Sequence, residues 1–226
     1  MSRRAGSFRI AMKRFFLIFL TAFPLSAAEL SFNVIGIDCS MCAKPVVNAL
    51  STVNGVQNIR LDWKKAVARV DVPEGFDRTR IRTALNNVGF EAVFPGETVK
   101  GIEPLPADVM KKLDIIAYYG TSKVDISQIV AAGNVTIVDF YADWCGPCHV
   151  LEARIEHLMQ AKPNLALRRI NIGKWDNEAA KQATHEFRAE ALPYIRLYDG
   201  KGNFVTAVTG GMWDEVLAAI AKAEAR

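Results

Sequence analysis

The sequence predicts two folded domains: a small α+β domain of β-α-β-β-α-β order, then a larger α/β domain with helices on both faces of its sheet. Three observations predict this. Cys-x-x-Cys occurs twice, at Cys39-Ser40-Met41-Cys42 and Cys145-Gly146-Pro147-Cys148, and the chain has no other cysteine. Residues 95–108 hold Pro95, Gly96, Gly101, Pro104 and Pro106, a composition that suits a linker. Residues 135–142 are nearly continuous apolar sequence, as in a strand buried on both faces, whereas residues 31–37 alternate.

In the first domain, a helix follows the first cysteine pair, with Val46, Val47 and Leu50 at helical spacing. Pro45 fits only in its first turn. Asn54-Gly55 marks a turn, and strands follow at 56–63 and 66–72. A helix over 78–88 carries Ile81, Leu85 and Val88, Gly89 ends it, and 90–94 closes with a short strand. Residues 108–119 read equally as helix or strand. In the second domain we expect a helix near 125–132, the strand at 135–142 and a helix from 147 that buries Leu151, Ile155, Leu158 and Met159. A strand at 166–172, a helix over 178–189 and strands at 194–199 and 203–208 come next. A final helix carries Trp213, Val216, Leu217 and Ile220.

Charge excludes one class of function. Residues 1–28 contain five Lys/Arg and no acid, and they alone make the net charge positive. The other 23 basic and 24 acidic residues sum to −1, so no basic stripe argues for nucleic acid. Residues 1–28 read as a secretory signal. A basic start precedes the apolar run 15–23, Pro24 breaks it, and Ser26-Ala27-Ala28 supplies small residues for cleavage before Glu29. The alternative is an uncleaved N-terminal anchor, and Met12 is a second candidate start. The expected location is the periplasm or outside the cell, where thiols oxidise unless electrons are supplied.

Cys145 stands where a buried strand ends and a helix begins, and backbone N–H groups there favour a thiolate. A helix end contributes only about 0.3–1 kcal/mol, so activation calls for more, such as a hydrogen bond from Cys148. Pro147 fits the start of the helix without losing a needed donor. Cys145 is the expected nucleophile and Cys148 the resolving thiol. Asp139 lies in the apolar strand, where a carboxylate is costly unless paired or protonated. Two readings stand open: a proton shuttle for Cys148, or a structural carboxylate tied to a cation such as Arg169.

Residues 139–148 (Asp-Phe-Tyr-Ala-Asp-Trp-Cys-Gly-Pro-Cys) closely resemble the active-site segment of thioredoxins, and the likeness extends over about 114–226. It implies a thioredoxin fold and a protein-disulfide oxidoreductase that needs no cofactor for its redox chemistry. It places the family's buried aspartate on Asp139, its tryptophan on Trp144, its cis-proline on Pro193 and its nearby basic residue on Arg169. The substrate groove falls on Pro147, Leu192, Gly210 and Gly211. Two positions depart. His149 replaces a lysine and either tunes the thiolate or is a surface helix residue. Tyr194 replaces a small residue and is expected to reshape the groove. A Gly-Pro dipeptide between the cysteines is typical of the family's reductants, which implies protein disulfide substrates and a membrane electron-donor reductase as partners.

Two thiols with no third ligand at Cys39/Cys42 suit Cu(I) or another soft metal better than zinc. The segment resembles the heavy-metal-associated domain, a ferredoxin-like α+β fold, over about residues 30–96. Gly89-Phe90-Glu91-Ala92 matches its second landmark, an aromatic under the metal loop, while Ile37 and Asp38 depart from its commonest residues. The alternatives are a redox relay with Cys145 and a structural disulfide. Burial of both Cys39 and Cys42 would count against carrier and relay alike. The expected organisation is a signal at 1–28, the metal-associated domain at 29–96, a linker at 97–113 and the thioredoxin-like domain at 114–226. The expected function is a periplasmic disulfide reductase with a soft-metal domain. The alternatives are a copper or mercury carrier, with a metal-trafficking partner, whose own ligands the second domain keeps reduced, and a two-pair relay without metal.

Overall fold

The computed structural model describes residues 27–37, 40–99, 101–120 and 122–226. The expected signal and anchor lie almost wholly outside the described residues, as do Asp38 and Cys39. No described helix is long and apolar enough to cross a membrane.

The first unit begins with β1 (Ala27–Ile35), so its first two residues fall inside the stretch read as a signal. A single 3₁₀ turn (Ser40–Cys42) leads into α1 (Ala43–Ser51), which places Pro45 in the first turn as expected. Next come β2 (Gln57–Asp62), β3 (Val67–Pro73), α2 (Thr79–Asn86) and β4 (Glu91–Val93). The strands form one antiparallel sheet in the order β2-β3-β1-β4. Alternation drives the layering. Phe32 and Val34 of β1 and Ala68, Val70 and Val72 of β3 face one core with Val46 and Leu50 of α1 and Ile81 and Leu85 of α2.

A short helix, α3 (Ala107–Met110), lies inside the range expected to be linker, and β5 (Ile115–Tyr118) follows. The ambiguous stretch 108–119 is thus both, in turn. The linker is also tethered: a ring nitrogen of His157 lies 2.8 Å from the carbonyl oxygen of Glu103. Then come α4 (Ile126–Ile129), β6 (Val135–Tyr141), α5 (Gly146–Ala161), β7 (Leu165–Asn171), α6 (Glu178–Lys181), β8 (Tyr194–Tyr198), β9 (Phe204–Thr209) and α7 (Trp213–Glu224). The sheet order is β5-β7-β6-β8-β9, parallel from β5 to β6 and antiparallel beyond. Every residue of β6 and β7 is buried, as central strands covered on both faces must be.

Two helices are shorter than the periodicity predicts. The one expected near 125–132 is the single turn of α4, capped by Asp125, whose carboxylate accepts from Ser127 N–H at 3.0 Å. The one expected over 178–189 leaves α geometry after Lys181, where Gln182–Glu186 make a π turn. The Gln182 amide is the reason. It is buried and clamps Val124, accepting from its N–H at 3.0 Å and donating to its carbonyl at 2.6 Å. Arg188 at φ 61° then turns the chain away.

Phe140 is fully buried between the rings of Phe187 and Tyr194, with centroids 5.7 and 6.1 Å away. Phe140→Ala is expected to cost about 3–5 kcal/mol, read as a lower urea midpoint for the second unit. A loss under about 1 kcal/mol would show that this layer collapses around the cavity.

Candidate redox site

The site is assembled where β6 hands over to α5. Cys145 is the residue before α5, in extended geometry (φ −97°, ψ 90°), and Pro147 is the second residue of the helix. The tight turn is held by Cys145 N–H donating to the Ala142 carbonyl at 2.9 Å and Cys148 N–H donating to the Cys145 carbonyl at 3.0 Å. That geometry brings the two Cα atoms within 5.3 Å, and the sulfurs are joined as a disulfide. Cys145 is 5% exposed and Cys148 fully buried.

Asp139 and Arg169 sit opposite each other in the β6/β7 register. Arg169 Nε donates to Asp139 Oδ2 at 3.2 Å, its Nη1 donates to Glu152, and its guanidinium lies 3.6 Å from the centre of the Tyr141 ring. The cation foreseen for Asp139 is therefore present. Even so, burial outweighs it and lifts the Asp139 pKa from 3.8 to about 6, with Arg169 pulling the other way and Glu152 adding to the rise. Asp139 Oδ1 and Arg169 Nη2 are buried with no hydrogen-bond partner among the described residues. Asp139 is therefore ion-paired to Arg169, as the structural reading expects, with a pKa that burial still raises to about 6.

The Leu192–Pro193 peptide bond is cis, and the Pro193 carbonyl accepts from Gly210 N–H at 2.7 Å. Pro147, Pro193 and Gly211 share one wall: a Cβ built on Gly211 would lie 3.8 Å from the Pro147 oxygen and 3.9 Å from Pro193 Cγ. Leu192 lies nearby in sequence and is half-buried against the core. Trp144 remains partly exposed, and its indole N–H donates to the Gly173 carbonyl at 2.5 Å. His149 is an exposed helix residue with a ring nitrogen 3.0 Å from the Asp143 carbonyl oxygen.

One expectation is corrected. Tyr194 does not reshape the groove. As the first residue of β8 it points into the core, 3% exposed, and its hydroxyl donates to the Phe187 carbonyl at 2.7 Å. Period-2 alternation, not adjacence to Pro193, decides where that ring goes. Two site residues escaped the sequence reading. Glu152 stands four residues beyond Cys148, on the same helix face, so helical spacing carried a signal for it. The Trp175 ring lies 6.2 Å from that of Trp144, tilted by 50°, and nothing in the sequence pattern marks it.

The other pair is described only in part. Cys42 ends the 3₁₀ turn, is 8% exposed and is disulfide-bonded. Phe90 is buried near Gly36: a Cβ at Gly36 would sit 3.3 Å from the Phe90 ring. No group of three or more His, Cys, Asp or Glu that could hold a metal ion occurs among the described residues.

The Thioredoxin family model matches residues 120–223. Thioredoxin-2, mitochondrial, of Schizosaccharomyces pombe is 30% identical over 102 residues, which are 45% of this chain and 69% of that protein. The chain belongs to the thioredoxin family. The thioredoxin of Chlamydia pneumoniae is 34% identical over 89 residues, covering 39% of this chain and 80% of its own. Among solved structures, oxidized MerP from Ralstonia metallidurans CH34 is similar at 21% identity over 31% of this chain and 99% of its own, with a TM-score of 0.30. The thioredoxin domain makes this protein a thioredoxin-like disulfide oxidoreductase.

Proposed function

We propose that the protein is a periplasmic reductase of protein disulfides, with Cys145 as nucleophile and Cys148 as resolving thiol. The observation that carries this reading is the Cys145–Cys148 disulfide at the start of α5, whose Pro147 shares a wall with cis-Pro193 and Gly211. In the reduced form the Cys145 thiolate attacks one sulfur of a client disulfide and expels the other as a thiolate. The product is a mixed disulfide. Cys148 then gives its proton to Asp139 and attacks the Cys145 sulfur, which releases the second client thiolate and re-forms the enzyme disulfide. The client gains two electrons from the dithiol, its two thiolates take protons from solvent, and the Cys148 proton leaves by way of Asp139. The enzyme disulfide must be re-reduced by an outside dithiol, and a membrane-borne reductase fits that role. The Pro193 wall steadies the client chain during the exchange.

Direction is tested by equilibration with glutathione. The expected potential of the Cys145/Cys148 couple is near the roughly −270 mV of thioredoxins. A value near the roughly −120 mV of strong periplasmic oxidants would reverse the proposed electron flow.

The first unit is read as a ferredoxin-like, heavy-metal-associated domain for Cu(I) or another soft metal. Its β-α-β-β-α-β order, its sheet order β2-β3-β1-β4 and the seat of Phe90 support that reading. A pair of thiolates supplies the soft, low-coordinate donor set that Cu(I) takes. Cys42 as a disulfide offers no thiolate, so metal uptake requires two electrons first. That requirement supports a second reading, in which the thioredoxin domain keeps its neighbour's ligands reduced and a trafficking partner takes the metal. The fully reduced protein is expected to retain one Cu(I) through desalting, and Cys42→Ser to lose it. Failure of the reduced wild type to retain Cu(I) sinks the metal reading and leaves the relay.

A further inference from the structure

The two units meet on the face of α5 that carries the catalytic turn. Gly89, the turn after α2, lies against the wall of the groove. A Cβ at Gly89 would sit 2.7 Å from Pro147 Cβ, and one at Gly211 would sit 3.0 Å from Gly89 Cα. Backbone therefore packs on backbone with no room for a side chain between. Gly36 makes the second contact. A Cβ there would lie 3.0 Å from Val150 Cγ2 and 3.5 Å from the Gly146 oxygen. The third is ionic. Arg154 of α5 donates to Glu91, which is 3% exposed and also lies 3.5 Å from Arg82 of its own unit. A buried carboxylate shared between two cations is specific, because either cation alone leaves it undercompensated. Around these contacts, Ile35, Gly36, Ile37, Gly146, His149 and Val150 line a cleft of about 300 Å³ at the seam.

The wall that Gly89 covers is the one assigned above to the client chain. We propose that the Gly89 turn of the first domain is the resident occupant of the thioredoxin groove, so that a protein disulfide reaches Cys145 only when this domain moves off. The interaction surface is Gly36, Gly89 and Glu91 on one side and Gly146, Pro147, Val150, Arg154 and Gly211 on the other. Its partner is the same chain. The close glycine-to-glycine approach excludes a client backbone from that wall while the domains are docked. Small disulfides that need no groove remain free to react at the same cysteines. The tether of residues 95–106 holds the first domain close, so it competes at high effective concentration with any client.

The proposal rests on the reductase reading for the role of the groove, and two substrates separate the failures. Full-length Arg154→Glu and Val150→Lys each break the seam at α5 residues that follow the catalytic turn and leave both cysteines in place. Limited proteolysis of residues 95–106 reports whether the domains have parted. Dithiothreitol-driven reduction of insulin reads protein clients, and reduction of 5,5′-dithiobis(2-nitrobenzoate) by the pre-reduced protein reads the dithiol itself. The expected result is faster cleavage of the tether, a roughly tenfold faster insulin reaction and an unchanged small-disulfide reaction in both variants. An unchanged insulin rate in a variant whose tether is cut faster overturns the proposal, as does a wild type cut as fast as the variants. Loss of the small-disulfide reaction in wild type would instead overturn the reductase reading.

Discussion

Cys145→Ser is expected to lower insulin reduction by about 10³-fold or more, while Cys148→Ser is expected to trap the client as a stable mixed disulfide. Position is the reason. Cys145 is the residue that precedes α5, at the positive end of the helix dipole, which favours its thiolate. Cys148 lies one turn inside the helix, fully buried, and meets only a sulfur already attached to Cys145. Serine at 145 removes the one group able to open a client disulfide. Serine at 148 leaves that attack intact and removes the release. Non-reducing electrophoresis with mass spectrometry distinguishes the two. If Cys145→Ser still reduces insulin, or if Cys145→Ser rather than Cys148→Ser accumulates the adduct, the roles are reversed or belong to the first cysteine pair.

Asp139→Asn should slow resolution of the mixed disulfide by roughly 10²-fold at pH 7.5 and remove a fall in the wild-type rate as pH drops through about 6. The carboxyl releases its proton near pH 6 in the folded protein and near 3.8 when unfolded, because burial disfavours its charged form. Above pH 6 it is a carboxylate able to accept the Cys148 proton. Below pH 6 it is already protonated and cannot.

The same displacement sets a stability signature. Under pH 3.8 both states hold the proton and the buried carboxyl adds no electrostatic cost. As pH rises from 3.8 to about 6 the unfolded chain binds fewer protons than the folded one, so stability falls, by about 3 kcal/mol in all. Asparagine has no such loss. Its stability relative to wild type is expected to rise by most of that amount between pH 4 and pH 8, in urea melts of the thioredoxin domain. Leaving Arg169 with Glu152 alone shifts the whole comparison by a constant and does not change its slope. A difference that is flat with pH would show that Arg169 compensates the carboxylate fully. A variant that resolves the mixed disulfide as fast as wild type would remove Asp139 from the chemistry.

The elements whose reasons are local were legible. The apolar run at 135–142 became the fully buried β6, and the alternation at 31–37 became part of β1. The catalytic turn was legible because Trp144, Pro147 and both cysteines fall within five residues. Elements decided by distant partners were not. The helix after Glu178 stops early because Gln182 clamps Val124, 58 residues away, and the charge on Asp139 depends on Arg169 and Glu152, from two other elements. Tyr194 was misplaced because adjacence to Pro193 in sequence says nothing about which side of β8 it occupies.

The two Cys-x-x-Cys pairs and the thioredoxin-like turn that carries Cys145 and Cys148 are written in short stretches of chain, where periodicity and turn residues act over a few positions. What only the tertiary structure decided is that these stretches meet. Gly36, Gly89 and Glu91 close on Gly146, Gly211 and Arg154 across more than 60 residues of chain. That contact depends on two backbones fitting without a Cβ and on one carboxylate finding two cations, and neither leaves a periodic trace in sequence.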